Sequence, residues 1–134
     1  MISYRAGYNY QLARPYSIAV EIKPAENIWT DYIRLDTSGL LAIERGYAWD
    51  GPSGPAMDTK SAMRGSLVHD ALFQLIRQGY LSQADREIAD REYRRICKED
   101  GMSNLRAQFH FLALRMFGGP ASLPDAEPPI LVAP

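Results

Sequence analysis

Length, composition and charge exclude several classes of protein for this chain of 134 residues. It is 46% hydrophobic and 23% charged, which fits one globular domain and argues against a largely disordered chain. The formal net charge of −1 provides no overall field for nucleic acid or an anionic membrane, so we expect no nucleic-acid partner. A single cysteine excludes an intrachain disulfide. Structural zinc sites need a cluster of cysteines and histidines, so we expect no such site.

Membrane and export signals are not expected either. The sequence contains no stretch near the ~20 apolar residues that span a bilayer. Its N-terminal segment also lacks an apolar core of the length found in signal peptides. We therefore expect neither a transmembrane segment nor a signal peptide.

The first half of the chain predicts β-strands. Residues 16–22 alternate between apolar and other types, which is typical of a strand with one buried face. Residues 32–35 and 40–44 flank the turn Asp36-Thr37-Ser38-Gly39, and this pattern predicts a hairpin. Tyr47 and Trp49 alternate after the hairpin and are expected to pack in the core or at a sheet edge.

The second half predicts three helices. The first extends from about residue 59 to Gly79, the second begins at Ser82 and extends to about residue 100, and the third follows a Ser103 cap. Alternating charges along the second helix indicate a solvated face with pairs such as Glu87–Arg91. The third helix has an apolar side on which we expect core residues: Leu105, Phe109, Leu112, Ala113, Met116 and Phe117.

These elements predict an α+β fold, in which a small antiparallel sheet from the N-terminal half packs against three helices from the C-terminal half. We assign residues 1–119 to a single domain. Residues 120–134 are proline-rich and cannot form a packed element alone, so we predict an extended tail that is either disordered or docks on a partner.

His69 and Asp90 form the candidate catalytic pair. Adjacent helical residues point about 100° apart, so His69 and Asp70 serve different partners. His69 borders the apolar side of the first helix, and a half-buried imidazole needs a hydrogen-bond partner. Asp90 on the second helix is the best candidate. The pair is interpreted either as a general base with its orienting carboxylate or as a tie between two helices.

The loop between the sheet and the first helix is the candidate metal site. It combines carboxylates with backbone carbonyls at tight bends, which suits the six to eight oxygen ligands of calcium. Asp70, Asp50 and Asp58 are the candidate ligands. In the alternative interpretation the loop is structural, with glycines supplying turn conformations and prolines stiffening them. The residues of this structural loop are Trp49, Gly51, Pro52, Ser53 and Gly54.

Four motifs resemble a family of uncharacterised phage and prophage proteins, the domain of unknown function numbered 1353. They are G-Y-A-W-D-G-P-S-G-P at 46–55, S-L-V-H-D-A-L-F at 66–73, R-E-I-A-D-R-E-Y at 86–93 and the later G-M-S-N-L-R-A. The resemblance covers the chain from the early strands to about Gly119. It implies a phage setting, with other phage structural proteins as partners and a location in the virion or the host cytoplasm.

A local pattern is similar to phospholipase A2: a glycine-rich loop, a helical H-D-x-x-[FY] and an aspartate on the next helix. This similarity implies calcium held by loop carbonyls and Asp70, with His69 as the base and Asp90 as its orienter. The disulfides of secreted members are absent, and the leading sheet is foreign to that fold. Two functions therefore remain open: a non-catalytic virion or assembly component, and a calcium-assisted hydrolase used in phage entry or lysis.

Overall fold

A computed structural model describes residues 2–5, 10–51, 60–124 and 130–133 of the chain, with backbone alone for the first and last of these segments. Short strands occupy the N-terminal half, and three helices followed by a last strand occupy the C-terminal half, so the predicted α+β class is confirmed. The helices are α1 (Lys60–Arg77), α2 (Arg86–Glu99) and α3 (Asn104–Phe117). The strands are β1 (Ile2–Arg5), β2 (Tyr10–Gln11), β3 (Tyr16–Ala19), β4 (Ile28–Trp29), β5 (Ile33–Leu35), β6 (Leu40–Ile43), β7 (Ala48–Trp49) and β8 (Ile130–Ala133).

The main sheet has four antiparallel strands in the order β3-β6-β5-β4. The predicted hairpin forms its centre, because the Asp36 carboxylate accepts hydrogen bonds from the backbone N–H groups of Ser38 and Leu40 and closes the turn. β3 ends at Ala19, earlier than predicted, since its partner β6 begins opposite that residue at Leu40. The inward side chains of the hairpin are all at most 1% exposed: Ile33, Leu35, Leu41 and Ile43.

Sequence reasoning missed the two small sheets. β2 pairs with β7, which brings Trp49 to the core beneath the main sheet, and β1 pairs with β8. Two-residue strands have too little periodicity to be recognised in a sequence. A single strand is not stable alone, and β8 near the C-terminus pairs with β1 near the N-terminus.

One of the two predicted N-caps, Ser103, begins its helix as expected, and the other, Ser82, does not. The backbone N–H of Arg106 donates to Ser103 Oγ at 3.2 Å, so Ser103 caps α3 as predicted. Ser82 instead begins a 3₁₀ turn, Gln83–Asp85, and the Asp85 carboxylate accepts from the Ser82 backbone N–H at 3.1 Å. α2 therefore begins at Arg86, about one turn later than predicted.

The charged face of α2 is less solvated than its sequence indicates. Glu87 and Arg91 form the expected surface pair at 3.6 Å. Glu92, in contrast, is 3% exposed and accepts from the Glu21 backbone N–H at 3.1 Å and from Arg95. This carboxylate connects α2 to the chain that follows β3, so part of the charged pattern is structural.

Gly65 brings α1 and α2 close together. A Cβ atom built on Gly65 would lie 2.8 Å from Cys97 Sγ and 3.2 Å from the Tyr93 carbonyl oxygen of α2. A larger residue would therefore push the helices apart. Since His69 lies one turn further along the same side of α1, this close approach brings its ring within reach of α2.

The apolar side of α3 does not face the core, and this expectation was wrong. Phe109, expected in the core, is 65% exposed, and Ala107 is the buried residue of this helix. α3 has apolar side chains on more than one side, and it packs against α2 through the side that carries Ala107 and Leu114. The side that was expected in the core therefore faces outward.

Residues 120–124 pack on the domain. Pro120–Ser122 form a 3₁₀ turn, and Ser122 is fully buried, with its hydroxyl 2.7 Å from the Gly119 carbonyl oxygen and 3.1 Å from Gln83 Oε1. Arg77 donates to the Ala121 carbonyl oxygen at 3.1 Å. The domain boundary at residue 119 stays a prediction, but this first part of the proposed tail contacts the chain itself. Within the described segments, no helix combines the length and the apolar character needed to cross a membrane.

Candidate functional site

His69 and Asp90 meet between α1 and α2. His69 Nε2 lies 2.7 Å from Asp90 Oδ1, a hydrogen bond that the imidazole N–H donates to the carboxylate. The Asp90 side chain is fully buried, and the His69 side chain is 13% exposed. The contact predicted from helix periodicity is therefore confirmed, while the catalytic role of either residue stays a prediction.

The second oxygen of Asp90 binds an arginine that sequence reasoning missed. Arg115 Nη1 of α3 donates to Asp90 Oδ2 at 2.9 Å. Arg115 lies far along the chain from Asp90, and its sequence neighbourhood gives no signal of this contact. The carboxylate consequently joins all three helices.

Arg86 strengthens the same junction from α2. Its guanidinium donates to the carbonyl oxygens of Leu114 and Arg115 at 3.1 and 2.8 Å, and its Nε lies 4.0 Å from Asp90 Oδ2. A cation on the last carbonyl groups of a helix also interacts favourably with the helix dipole. The end of α3 is thus fixed to α2 at the point where Asp90 is buried.

Aromatic rings surround the imidazole of His69. The Phe73 ring centroid is 4.1 Å from that of His69, and the Tyr93 ring meets it edge-on at 5.7 Å. Tyr93 in turn contacts the other histidine, because its hydroxyl oxygen lies 2.8 Å from His110 Nδ1. Burial and the nearby Arg106 lower the pKa of His110. These contacts leave His69 little access to solvent.

Asp70 serves a different partner from His69, as the helix geometry predicts. The Tyr47 hydroxyl donates to Asp70 Oδ2, on the sheet side of α1. Partial burial, together with the negative charge of Asp70, raises the pKa of Asp50. The structure therefore brings two of the three predicted metal ligands near each other, and Asp58 lies outside the described residues.

The start of the structural loop lies against α1. Trp49 is buried, as expected, and its Nε1–H donates to Ser66 Oγ at 3.1 Å, so this end of the loop lies between the sheet and α1. Gly51 has a φ of +82°, and a Cβ atom there would lie 2.4 Å from the Tyr10 ring. Pro52, Ser53 and Gly54 lie outside the described residues.

The described residues do not make a calcium site by themselves. Calcium takes 6–8 oxygen ligands, whereas only Asp50 and Asp70 contribute carboxylates here, and one Asp70 oxygen accepts from Tyr47. In the part of the chain that the structure describes, no three His, Cys, Asp or Glu residues are grouped so that they could hold a metal ion. A calcium role for this loop stays a prediction.

Two surface cavities lie away from the His69–Asp90 pair. One, of about 490 Å³, is lined mainly by charged side chains of α2. The other, of about 530 Å³, lies beside Trp29 and Tyr32 at the edge of the main sheet. Neither is lined by His69, Asp70 or Asp90.

Comparisons of the chain with protein-family models, with curated proteins and with solved structures found no match. The resemblances to the phage family and to phospholipase A2 stay predictions.

Proposed function

We propose that this chain is a non-catalytic component of a phage particle or of its assembly, in which His69, Asp90 and Arg115 hold three helices together. The phage setting is supported by the motif resemblance described above, and other phage structural proteins are the proposed partners. The non-catalytic role is supported by the geometry of the His69–Asp90 pair.

The proposal depends on one observation: both carboxylate oxygens of Asp90 accept hydrogen bonds, one from His69 and one from Arg115. A carboxylate that orients a general base stabilises the positive charge that the imidazole acquires. Here Arg115 binds the other oxygen of the same carboxylate at 2.9 Å, so part of the negative charge is already neutralised. An arrangement that satisfies both oxygens inside the fold is what a structural tie requires.

The surroundings of His69 support the same interpretation. A general base needs hydrogen-bond reach to a substrate or a water molecule. The imidazole is 13% exposed and packed against Phe73 and Tyr93. We propose that its role is to fill this space and to satisfy the Asp90 carboxylate.

Replacement of His69 tests this role. His69→Ala should lower the free energy of unfolding by about 1–3 kcal/mol, because a buried oxygen of Asp90 loses its donor. His69→Gln is the matched control: its amide can still donate to Asp90, so it should lose less. Urea denaturation of the three proteins, followed by circular dichroism, measures the difference.

The hydrolase alternative predicts different results. If His69→Ala left the unfolding free energy unchanged but removed a calcium-dependent hydrolysis of phospholipid or ester substrates, the structural role would be wrong. The phage setting is tested separately by mass spectrometry of purified particles and of assembly intermediates from the phage that encodes the chain. Absence from both would contradict it.

A further inference from the structure

The outward side of α3 exposes a continuous set of large apolar side chains, which we call the outer face. Their exposed fractions range from 48% to 84%, although side chains of these types are usually buried. The members of the outer face are Leu105, Phe109, Leu112, Met116 and Phe117.

The spacing of these residues is that of a helix–helix seam. Leu105, Phe109, Leu112 and Met116 are separated by alternating steps of four and three residues, as the a and d positions of a heptad are. Phe117 is also exposed, but it points about 100° away from Met116 and therefore lies at the edge of the seam rather than within it. An apolar stripe on a helix normally faces a neighbouring element, and α2 covers only the opposite side of α3.

The seam supplies about two thirds of the area that a stable interface needs. With about 200 Å² for each fully exposed side chain of this size, the exposed fractions of the four seam residues amount to roughly 540 Å² on one copy, and Phe117 adds roughly 150 Å² at the edge. The largest apolar patch on a typical monomer is roughly 300–600 Å². A standard interface buries about 800 Å² on each partner.

Charge favours an apolar occupant. α3 contains no acidic residue, and its two arginines lie beside the outer face rather than within it. Arg115 is directed towards α2, where it pairs with Asp90 and lies 3.9 Å from Glu87. An interfacial membrane helix would direct basic residues towards the lipid headgroups, so this arrangement suits an apolar protein surface better.

We propose that the outer face binds the same face of a second copy of this chain. An antiparallel pairing about a two-fold axis places Phe109 against the partner subunit's Leu112, and Leu105 against the partner subunit's Met116. The face is suited to itself because all five of its side chains are uncharged. This inference rests on α3 alone and does not depend on the proposed phage role.

Sedimentation equilibrium of the full chain, from low to high micromolar concentration, tests the pairing. The wild-type chain should show a monomer–dimer equilibrium. Leu105→Glu and Phe109→Glu should each raise the dimer dissociation constant about tenfold or more, because a carboxylate would be buried in an apolar seam. Leu40→Glu is the matched control, since Leu40 is 46% exposed on the hairpin, and it should leave the constant unchanged.

Folding of the key variant is not at risk. Leu105 is 84% exposed and lies in the first turn of α3, where a carboxylate interacts favourably with the helix N-terminus. The circular dichroism spectrum of Leu105→Glu should therefore equal that of the wild type. Three results would overturn the proposal: a wild-type chain that is monomeric throughout, a dimer unaffected by both outer-face variants, or a monomer that cosediments with phosphatidylglycerol vesicles.

Discussion

The two histidines differ in their hydrogen-bond partners. His69 donates to a buried carboxylate, whereas His110 lies beside the Tyr93 hydroxyl and near Arg106. Within the described part of the chain, His110 Nε2 is buried and has no hydrogen-bond partner. Protonation of His110 would therefore place a positive charge at a partly buried site near Arg106.

This difference predicts a pH dependence of stability. Burial first, and Arg106 second, lower the pKa of His110 below its usual 6.5 in the folded state. The unfolded chain then binds the proton more readily, so the contribution of His110 is complete above 6.5 and is lost as the pH falls through the lowered folded pKa. The free energy of unfolding should decrease between about pH 7.5 and pH 5.

His110→Gln isolates that contribution, because the variant cannot titrate at this position. Its unfolding free energy, measured by urea denaturation across the same pH range, should fall less than that of the wild type. His69 is present in both proteins and cancels in the difference. Equal pH dependences would show that His110 is as easily protonated in the folded state as in the unfolded chain.

At the scale of elements, the contact between α1 and α2 depends on a missing side chain. Gly65 lies inside α1, where replacing glycine by alanine normally stabilises a helix by about 0.5–1 kcal/mol. Here the new Cβ atom would lie 2.8 Å from Cys97 Sγ. Glycine at position 65 therefore lowers the stability of α1 as a helix but allows its close packing against α2.

Gly65→Ala should therefore lower the free energy of unfolding by about 1–3 kcal/mol, whereas the same substitution elsewhere in a helix usually raises it. Cys97→Ala removes the sulfur that the new methyl group would meet. The double variant should therefore be more stable than the sum of the two single effects predicts. A double-mutant cycle by thermal or urea denaturation measures this coupling, and strict additivity would contradict the proposed collision.

At the scale of the whole molecule, the described residues form two hydrophobic cores. The larger lies between the main sheet and α1 and includes Trp49. The smaller lies where the three helices meet and includes Cys97 and Tyr93. Cys97 is the only cysteine in the sequence, so its reactivity reports on the opening of the smaller core.

Burial raises the pKa of the Cys97 thiol to about 11, and its side chain is inaccessible in the folded state. Labelling by a thiol reagent near neutral pH should be on the order of 1,000-fold or more slower than in the urea-unfolded chain. The rate should increase with urea in parallel with the unfolded fraction. Rapid labelling of the folded chain would show that the helices separate without global unfolding.

The sequence by itself determined the class of fold and the local features that follow from short-range chemistry. The hairpin at Asp36–Gly39 and the Ser103 cap are set by residues a few positions apart, and helix periodicity places His69 at the border of the apolar side of α1. Local patterns of this kind carry their own geometry, so they can be recognised without the rest of the chain.

The tertiary structure decided which surfaces meet. The apolar pattern of α3 was recognised, but periodicity cannot say which side of a helix with several apolar sides will pack against a neighbour. Arg115 reaches Asp90 only because α2 and α3 lie side by side, and the small strands β2 and β7 exist only through their pairing. Contacts between residues distant in sequence depend on the packing of whole elements, so they follow from the assembled fold rather than from any local pattern.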